Sequence, residues 1–136
     1  GKEIIPTEFD EISNWVEYGA EAHFVTKNKK RGMYSRDGKQ LIPPIYEELN
    51  YITNNLIIVS QNKKYGIVNI FNKIVIPLEN DKVFLDWYKI YYENQEPEIY
   101  VLKNGIYSQL NKNNKQVKTN ISEKEMKERF EHHFEK

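Results

Sequence analysis

Residues 41–49 read LIPPIYEEL, and residues 56–69, after a short polar segment, read LIIVSQNKKYGIVN. A similar pattern occurs both before and after these residues in the chain. An Ile-Pro step opens each copy, at Pro6, Pro43 and Pro77, which lie 37 and 34 positions apart. Because internal repeats decide the architecture of a chain before any single residue does, the sequence predicts a short repeat array.

Two further landmarks keep the same register. An acid stands four residues after each proline, at Asp10, Glu47 and Asp81. A glycine closely follows a lysine in each copy, at Gly32, Gly66 and Gly105, with spacings of 34 and 39. Glycine inside a strand marks a bulge or a close backbone approach, so we expect neighbouring units to pass tightly at these three positions.

The local signals within each copy are those of strands. In the second copy, the β-branched run 57–59 and the strand 65–70 flank the polar pair Asn62-Lys63, which predicts a hairpin. Further turns are predicted at Asp37-Gly38, Asn72-Lys73 and Asn113-Asn114. Each unit is therefore predicted to be a small antiparallel meander, with the Ile-Pro step where one unit passes to the next.

The chain resembles the WG repeat, also called the KWG repeat, in three features. These are an aliphatic-Ile-Pro step, an aromatic residue with acids, and a hairpin that carries Lys-aromatic-Gly. The resemblance covers about residues 4–116. It implies successive β-hairpin units, often in secreted or surface-associated bacterial proteins and sometimes near toxin systems. The tryptophan that precedes the glycine in the family is here Arg31, Tyr65 and Asn104, so the first and third units are degenerate.

The chain is long enough for one domain, residues 1–136. We predict a mainly β fold in which three antiparallel β-meander or hairpin repeats form a twisted, partly open sheet array. The units are about 4–40, 41–74 and 75–116. One C-terminal α-helix, about 122–135, would begin at a capping box, cover the open edge of the last unit and anchor in the core through its apolar face, Met126, Phe130 and Phe134.

Composition excludes several function classes. Lys+Arg and Asp+Glu both number 20, so the net charge is zero and no overall field favours nucleic acid. Cysteine is absent, which excludes disulfides, thiolate zinc sites and cysteine nucleophiles. No membrane span or signal segment is predicted. The chain begins at Gly1, so a trimmed N-terminus is expected, and the compartment stays open.

The sequence offers little catalytic chemistry. The adjacent His132 and His133 point about 100° apart on a helix, so they do not form a zinc pair. Paired acids such as Glu47-Glu48 face opposite sides of a strand, which predicts one solvated and one turn-bonding acid per unit. No phosphate loop, nucleophile elbow or His-Glu metal motif is present. We expect no enzyme, no cofactor and no metal.

Two features are candidates for binding. The third unit is longer than the second, and insertions in repeat arrays often carry the binding role. Its aromatic segment and the lysines of two hairpin turns give the candidate partner-binding residues: Trp87, Tyr88, Tyr91, Tyr92, Glu93, Lys63, Lys64, Lys29 and Lys30. A longer hairpin and a solvated sheet edge are the structural alternatives.

The sequence favours a non-enzymatic bacterial protein that binds another protein and is monomeric when free. Its most concrete form is an immunity protein that binds and neutralises a toxin, which would be cytoplasmic. The alternative is an exported surface or periplasmic carbohydrate-binding or structural WG-repeat protein, in which exposed aromatic rings would stack on sugars.

Overall fold

A computed structural model describes residues 11–13, 22–35, 37–53, 55–85 and 98–130. Nearly all of these residues lie in short antiparallel strands, and one helix follows the last strand. The elements are β1 (Glu11–Ser13), β2 (Ala22–Lys27), β3 (Lys30–Ser35), β4 (Gln40–Tyr46), β5 (Glu48–Thr53), β6 (Leu56–Gln61), β7 (Lys64–Val68), β8 (Ile74–Asn80), β9 (Lys82–Leu85), β10 (Ile99–Lys103), β11 (Ile106–Leu110), β12 (Gln116–Ile121) and α1 (Glu123–Arg129).

The strands form three four-stranded sheets, each made of four consecutive strands in the order of the chain. All pairings within the sheets are antiparallel. Sheet 1 contains β1–β4, sheet 2 contains β5–β8 and sheet 3 contains β9–β12. The predicted fold class is confirmed: the protein is an array of three antiparallel meanders followed by a C-terminal helix.

The chain passes from one sheet to the next through a single residue. Glu47 separates β4 from β5, and Asp81 separates β8 from β9. The Ile-Pro step lies four to five residues earlier, in the fourth strand of the preceding sheet. That strand is at an edge, where a residue that cannot donate a backbone hydrogen bond does the least damage.

Each sheet joins its second and third strands by a two-residue turn. Asn28-Lys29, Asn62-Lys63 and Asn104-Gly105 all have positive φ at both positions, between 52° and 78°. Two successive residues of positive φ define the type I′ turn, whose twist matches that of the flanking strands. Asparagine and glycine adopt this conformation most readily, which explains their place in these turns.

Gly32 and Gly66 lie in the third strands of their sheets, under a bulge of the fourth strand. Three residues of β4 lie opposite the single residue Gly32: Pro43, Pro44 and Ile45. The pairs on either side are Arg31 with Tyr46 and Met33 with Ile42. A Cβ on Gly32 would lie 2.7 Å from two backbone atoms of this bulge, and Gly66 meets the Ile76-Pro77 backbone in the same way. The predicted close approach is therefore present at these two glycines.

The prediction for the third glycine is wrong, because Gly105 does not lie at a close backbone approach. Gly105 belongs to the turn Asn104-Gly105, with φ of 78° and nothing within 4 Å of an added Cβ. The residue of sheet 3 that corresponds to Gly66 is Ser108, and the preceding aromatic position is held by Tyr107 rather than Asn104. Sheet 3 also has Thr119 where Pro77 stands in sheet 2, and the hydroxyl groups of Ser108 and Thr119 lie 2.9 Å apart.

Hydrophobic clusters fill the space between consecutive layers. Between sheets 1 and 2 the buried residues are Ala22, Met33, Ile42, Tyr46, Leu49, Tyr51, Ile57, Val59 and Val68. Between sheets 2 and 3 they are Leu56, Ile67, Ile76, Val83, Leu85, Ile99 and Val101. Sheet 2 is thus covered on both faces, which explains the unbroken apolar run of β6, because alternation with polar residues requires a solvated face.

The helix α1 packs on the outer face of sheet 3 rather than on its edge, which corrects the predicted placement. Met126 and Phe130 are buried against Phe84, Tyr100 and Ile121. Ser122 is the N-cap of the helix, and its hydroxyl accepts the Glu125 amide at 3.1 Å, as the capping box predicts. The rest of the predicted helix, including Phe134, lies outside the described residues.

Candidate functional site

The aromatic half of the predicted binding site lies outside the described residues: Trp87, Tyr88, Tyr91, Tyr92 and Glu93. The strands on either side of this segment are described. Leu85 pairs with Ile99, and Ile99 pairs with Leu110, just before the turn 111–115. The described strands β9 and β10 therefore meet, at Leu85 and Ile99, at the sheet end where that turn lies. The binding role of the five residues stays a prediction.

The four predicted lysines lie at the opposite end of the sheets, which we call the junction end. It contains the three two-residue turns and the junction residues Glu47 and Asp81. Lys29 and Lys63 occupy the second position of their turns and are exposed. Lys30 and Lys64 begin the third strands, at matching positions of sheets 1 and 2. The repeat thus brings the lysines together at one end, as predicted.

Two of these lysines are engaged by the junction acids. The Lys30 ammonium lies 3.5 Å from a carboxylate oxygen of Glu47, and the other oxygen accepts the Lys63 backbone amide at 3.1 Å. The Asp81 carboxylate binds Lys64 Nζ at 2.6 Å and the Asn104 amide at 3.2 Å. Each junction acid therefore connects a lysine of one sheet to a turn of the next sheet.

These contacts favour the charged form of both acids. The Lys63 amide, assisted by the nearby Lys30 charge, lowers the pKa of Glu47. The Lys64 ammonium, followed by the Asn104 amide, lowers the pKa of Asp81. The second acid of the pair, Glu48, accepts the Tyr65 hydroxyl, and this bond raises the pKa of Tyr65 to about 12. At the junction end, lysines and acids therefore neutralise much of each other's charge, and the same contacts recur between consecutive sheets. We call the contacts of Glu47 and Asp81 the clamp.

The other end of the sheets, which we call the long-turn end, carries the turns 35–39, 69–73 and 111–115 between the third and fourth strands. The turn 69–73 is held by its first residue: the Asn69 side-chain oxygen accepts the amides of Phe71 at 2.9 Å and Lys73 at 3.0 Å. The Tyr46 hydroxyl, from sheet 1, donates to Asn72 Oδ1 at 2.5 Å. This turn is therefore fixed both by itself and by the neighbouring sheet.

Phe71 is 69% exposed on this fixed turn, and Ile74, at the start of β8, is 58% exposed. We call these two residues the Phe71 patch. The backbone that carries the Phe71 ring is fixed, and burying the ring or replacing it by a polar residue would remove apolar surface from water. Large aromatic side chains in such a position are typical anchors of protein interfaces.

The flanking units show that the fold does not require these apolar residues. The turns 35–39 and 111–115 have the same pair of backbone hydrogen bonds, and Asn111 holds its turn through the same side-chain contacts as Asn69. At the position of Phe71 these units have Asp37 and Asn113, and at the position of Ile74 they have polar side chains, Gln40 and Gln116. The Phe71 patch is thus a feature of the middle unit alone.

Sequence reasoning missed this patch because Phe71 looks like an ordinary residue of a weak turn. The signal that would have found it is the alignment of the three long turns on their first residue, Ser35, Asn69 and Asn111. That alignment depends on the turn geometry, since the turns read SRDGK, NIFNK and NKNNK and share only their final lysine.

Within the described ranges, no group of three or more His, Cys, Asp or Glu residues could hold a metal ion. No helix within those ranges is long and apolar enough to cross a membrane. What the described structure offers is a surface: a charge-paired junction end, and a long-turn end at which the fixed turn of sheet 2 presents Phe71 and Ile74.

A stack of four-stranded meanders joined by single residues and repeating the same turns defines the class: a β-repeat protein. The family model described as WG containing repeat matches the chain twice, over residues 1–30 and 32–65. This match agrees with the predicted resemblance to the WG repeat over residues 1–65. No curated protein and no solved structure gives a significant match.

Proposed function

We propose that this β-repeat protein is a non-enzymatic interaction protein that binds another protein through the Phe71 patch. The observation that supports this proposal is the 69% exposure of Phe71 on a turn whose counterparts in the flanking units hold Asp37 and Asn113. Because the same turn forms with polar residues, the exposed ring has no structural task, and anchoring a partner is the task that its chemistry suits.

The most concrete form of the proposal is an immunity protein that binds and neutralises a toxin. Such a protein acts by covering a surface of its target, so it needs a rigid interface and no catalytic chemistry. The stacked sheets supply the rigid base, and the sequence holds no cysteine and no recognised catalytic motif. The partner would then be encoded beside this protein.

The alternative is a carbohydrate binder in which the exposed ring of Phe71 stacks on a sugar. One observation favours a protein partner: Ile74, also exposed, adds an aliphatic side chain that has no flat face for a sugar ring. The two proposals differ for the variant Phe71→Leu, which keeps an apolar anchor and loses the aromatic face. A protein partner should tolerate this change far better than a glycan.

The experiment is co-purification with the product of the neighbouring gene, followed by size-exclusion chromatography and titration calorimetry. Wild-type protein should form a stable complex, and Phe71→Asn, which copies the residue of the third unit, should weaken it by about 30-fold or more. Ile106→Thr is the matched control, since Ile106 is also exposed but begins β11 at the junction end.

A complex that Phe71→Asn leaves unchanged would overturn the Phe71 patch as the interface. A protein that forms no complex with any neighbouring product, while soluble glycans bind it in a manner that depends on Phe71, would replace the proposal by the carbohydrate alternative.

A further inference from the structure

The turn that carries Phe71 is held by a residue of the neighbouring sheet. Tyr46, the last residue of β4 in sheet 1, is only 3% exposed, and its hydroxyl donates to Asn72 Oδ1 at 2.5 Å. Burial raises the pKa of the Tyr46 hydroxyl, so this group stays protonated and remains a donor at neutral pH. Asn72 directly follows Phe71 and has a positive φ of 62°, so the bond holds the middle of the turn.

A second contact holds the same turn. Ile70, which directly precedes Phe71, packs against the hydrophobic cluster between sheets 1 and 2, and Tyr46 belongs to that cluster. The residues on either side of Phe71, Ile70 and Asn72, are therefore both held by buried parts of the array. The ring between them is exposed.

The corresponding turn of sheet 3 forms without an apolar residue packed beneath it. The turns 69–73 and 111–115 have the same backbone hydrogen bonds and the same side-chain hydrogen bonds from their first residues. At the position of Ile70, the turn of sheet 3 has the exposed Lys112. The packing of Ile70 is thus an addition to a turn that closes through its own hydrogen bonds.

The residue that corresponds to Tyr46 in sheet 2 has a different task. Tyr46 and Asn80 end the fourth strands of their sheets. The Asn80 side-chain amide donates within its own sheet, to the carbonyl oxygens of Tyr65 and Pro77, both at 3.2 Å. The repeat therefore does not require a tyrosine at this position, and the contact from Tyr46 falls on the turn that carries the Phe71 patch.

We infer that Tyr46 is a positioning residue for the Phe71 patch: through Asn72 it fixes the turn, before the partner binds, in the conformation that the partner contacts. This inference rests on the proposed function and adds a buried residue of sheet 1 to a site on sheet 2. A partner that meets an ordered turn does not have to order it, so Tyr46 raises the affinity without touching the partner.

The first measurement needs no partner. Tyr46→Phe removes the hydroxyl and keeps the ring in the hydrophobic cluster. We expect amide hydrogen exchange, measured by NMR on the full chain, to become about fivefold faster at Phe71 and Lys73, with the amides of Asn113 and Lys115 unchanged. Unchanged exchange at Phe71 and Lys73 would overturn the inference, because the hydroxyl would then not hold the turn.

The second measurement is the affinity for the product of the neighbouring gene, by titration calorimetry. Tyr46→Phe should weaken the complex about fivefold, because the partner must then order the turn. In a chain that already carries Phe71→Asn, the same change should have less than a twofold effect, since the anchor that the turn positions is gone. A general loss of stability would instead act equally in both backgrounds.

Tyr34→Phe is the matched control. Tyr34 is 7% exposed in the same sheet, and its hydroxyl oxygen accepts a hydrogen bond from Gln40 Nε2 at 3.2 Å. The variant also removes a hydrogen-bonded hydroxyl from a buried tyrosine of sheet 1, and it should change the affinity less than twofold.

The outcomes separate this inference from the proposed function. If the neighbouring gene product forms no complex that depends on Phe71, the proposed function and the inference are both overturned. If the complex depends on Phe71 but Tyr46→Phe leaves its affinity unchanged, or weakens it equally with and without Phe71, the inference alone is overturned.

Discussion

At the scale of single residues, a glycine under the bulge lets the fourth strand of sheets 1 and 2 pass close over the third strand. Gly66 has no side chain because the Ile76-Pro77 backbone passes directly over it. In sheet 3 both partners change together: Ser108 takes the place of glycine, Thr119 takes the place of proline, and the two hydroxyl groups meet. The bulge is also one residue shorter there, since Tyr107 pairs with Ile121 and Gln109 with Lys118.

Substitution of Gly66 by alanine should therefore destabilise the protein strongly. The new Cβ would lie 2.8 Å from the Leu78 amide nitrogen and closer still to the Ile76 carbonyl oxygen, and both belong to backbone that cannot rotate away. We expect a loss of about 3 kcal/mol in the free energy of unfolding, measured by urea denaturation. Gly105→Lys is the control, because Lys29 and Lys63 occupy the same turn position with positive φ; its cost should be about 1 kcal/mol or less. Equal losses for the two variants would contradict this account of the bulge.

The same residues show why the sequence predicted the repeat but not its register in the third unit. The Ile-Pro step recurs in sheets 1 and 2 because these two sheets have the same bulge, and the turn residues recur because all three sheets have the same two-residue turn. Sheet 3 lacks both the glycine and the proline. Sequence spacing therefore equates Gly105 with Gly66, although the residue equivalent to Gly66 is Ser108, three positions later. Sequence spacing records which residues recur, whereas pairing between strands decides which of them are equivalent.

At the scale of elements, the junction acids connect each sheet to the next. Glu47 and Asp81 each contact a lysine of the preceding sheet and a turn amide of the following sheet. Ser122, the N-cap, directly follows the last strand of sheet 3, as Glu47 and Asp81 follow the last strands of sheets 1 and 2, and the helix begins at Glu123. The helix α1 therefore starts where a fourth sheet would start, and it covers the outer face of sheet 3 as that sheet would have done.

The clamp predicts a dependence of stability on pH. The pKa of Glu47 and that of Asp81 are both lowered in the folded protein from their ordinary values of 4.5 and 3.8. The stability that these acids contribute is therefore fully present above the ordinary values and is lost as the pH falls through the lower folded values. The variant Glu47→Gln, Asp81→Asn should be less stable than the wild type at pH 7, and the difference should shrink steadily below pH 4.

Chemical denaturation at a series of pH values measures this difference. The control is Glu79→Gln, which removes an exposed ion pair between sheets 2 and 3 that involves neither junction acid; its effect should be small at every pH, as it is for exposed pairs in general. If the difference in unfolding free energy between the wild type and the Glu47→Gln, Asp81→Asn variant stayed constant down to pH 3, the proposed role of the charged acids would be contradicted.

The helix illustrates the limit of pattern reasoning at this scale. The period of Met126 and Phe130 predicted which helix face is apolar, and the capping residue Ser122 predicted where the helix begins. Neither signal states what the apolar face packs against. An open edge and an uncovered sheet face both need covering, and only the stacking of the sheets shows that the face of sheet 3 is the exposed one.

At the scale of the whole molecule, the stacked sheets give the two ends different surfaces. The turns of the junction end are used to hold the array together, and the turns of the long-turn end are free to vary once their backbone bonds are made. Phe71 could be recognised as distinctive only after the three long turns were superposed, because the turns share little sequence.

The central claim is that the protein binds its partner through the Phe71 patch at the long-turn end. Hydrogen–deuterium exchange of the free protein and of its complex with the partner tests this claim most directly. The claim predicts slower exchange on binding in residues 69–75, with the turns 28–29 and 62–63 unchanged. Slower exchange confined to those junction-end turns, with residues 69–75 unaffected, would contradict it.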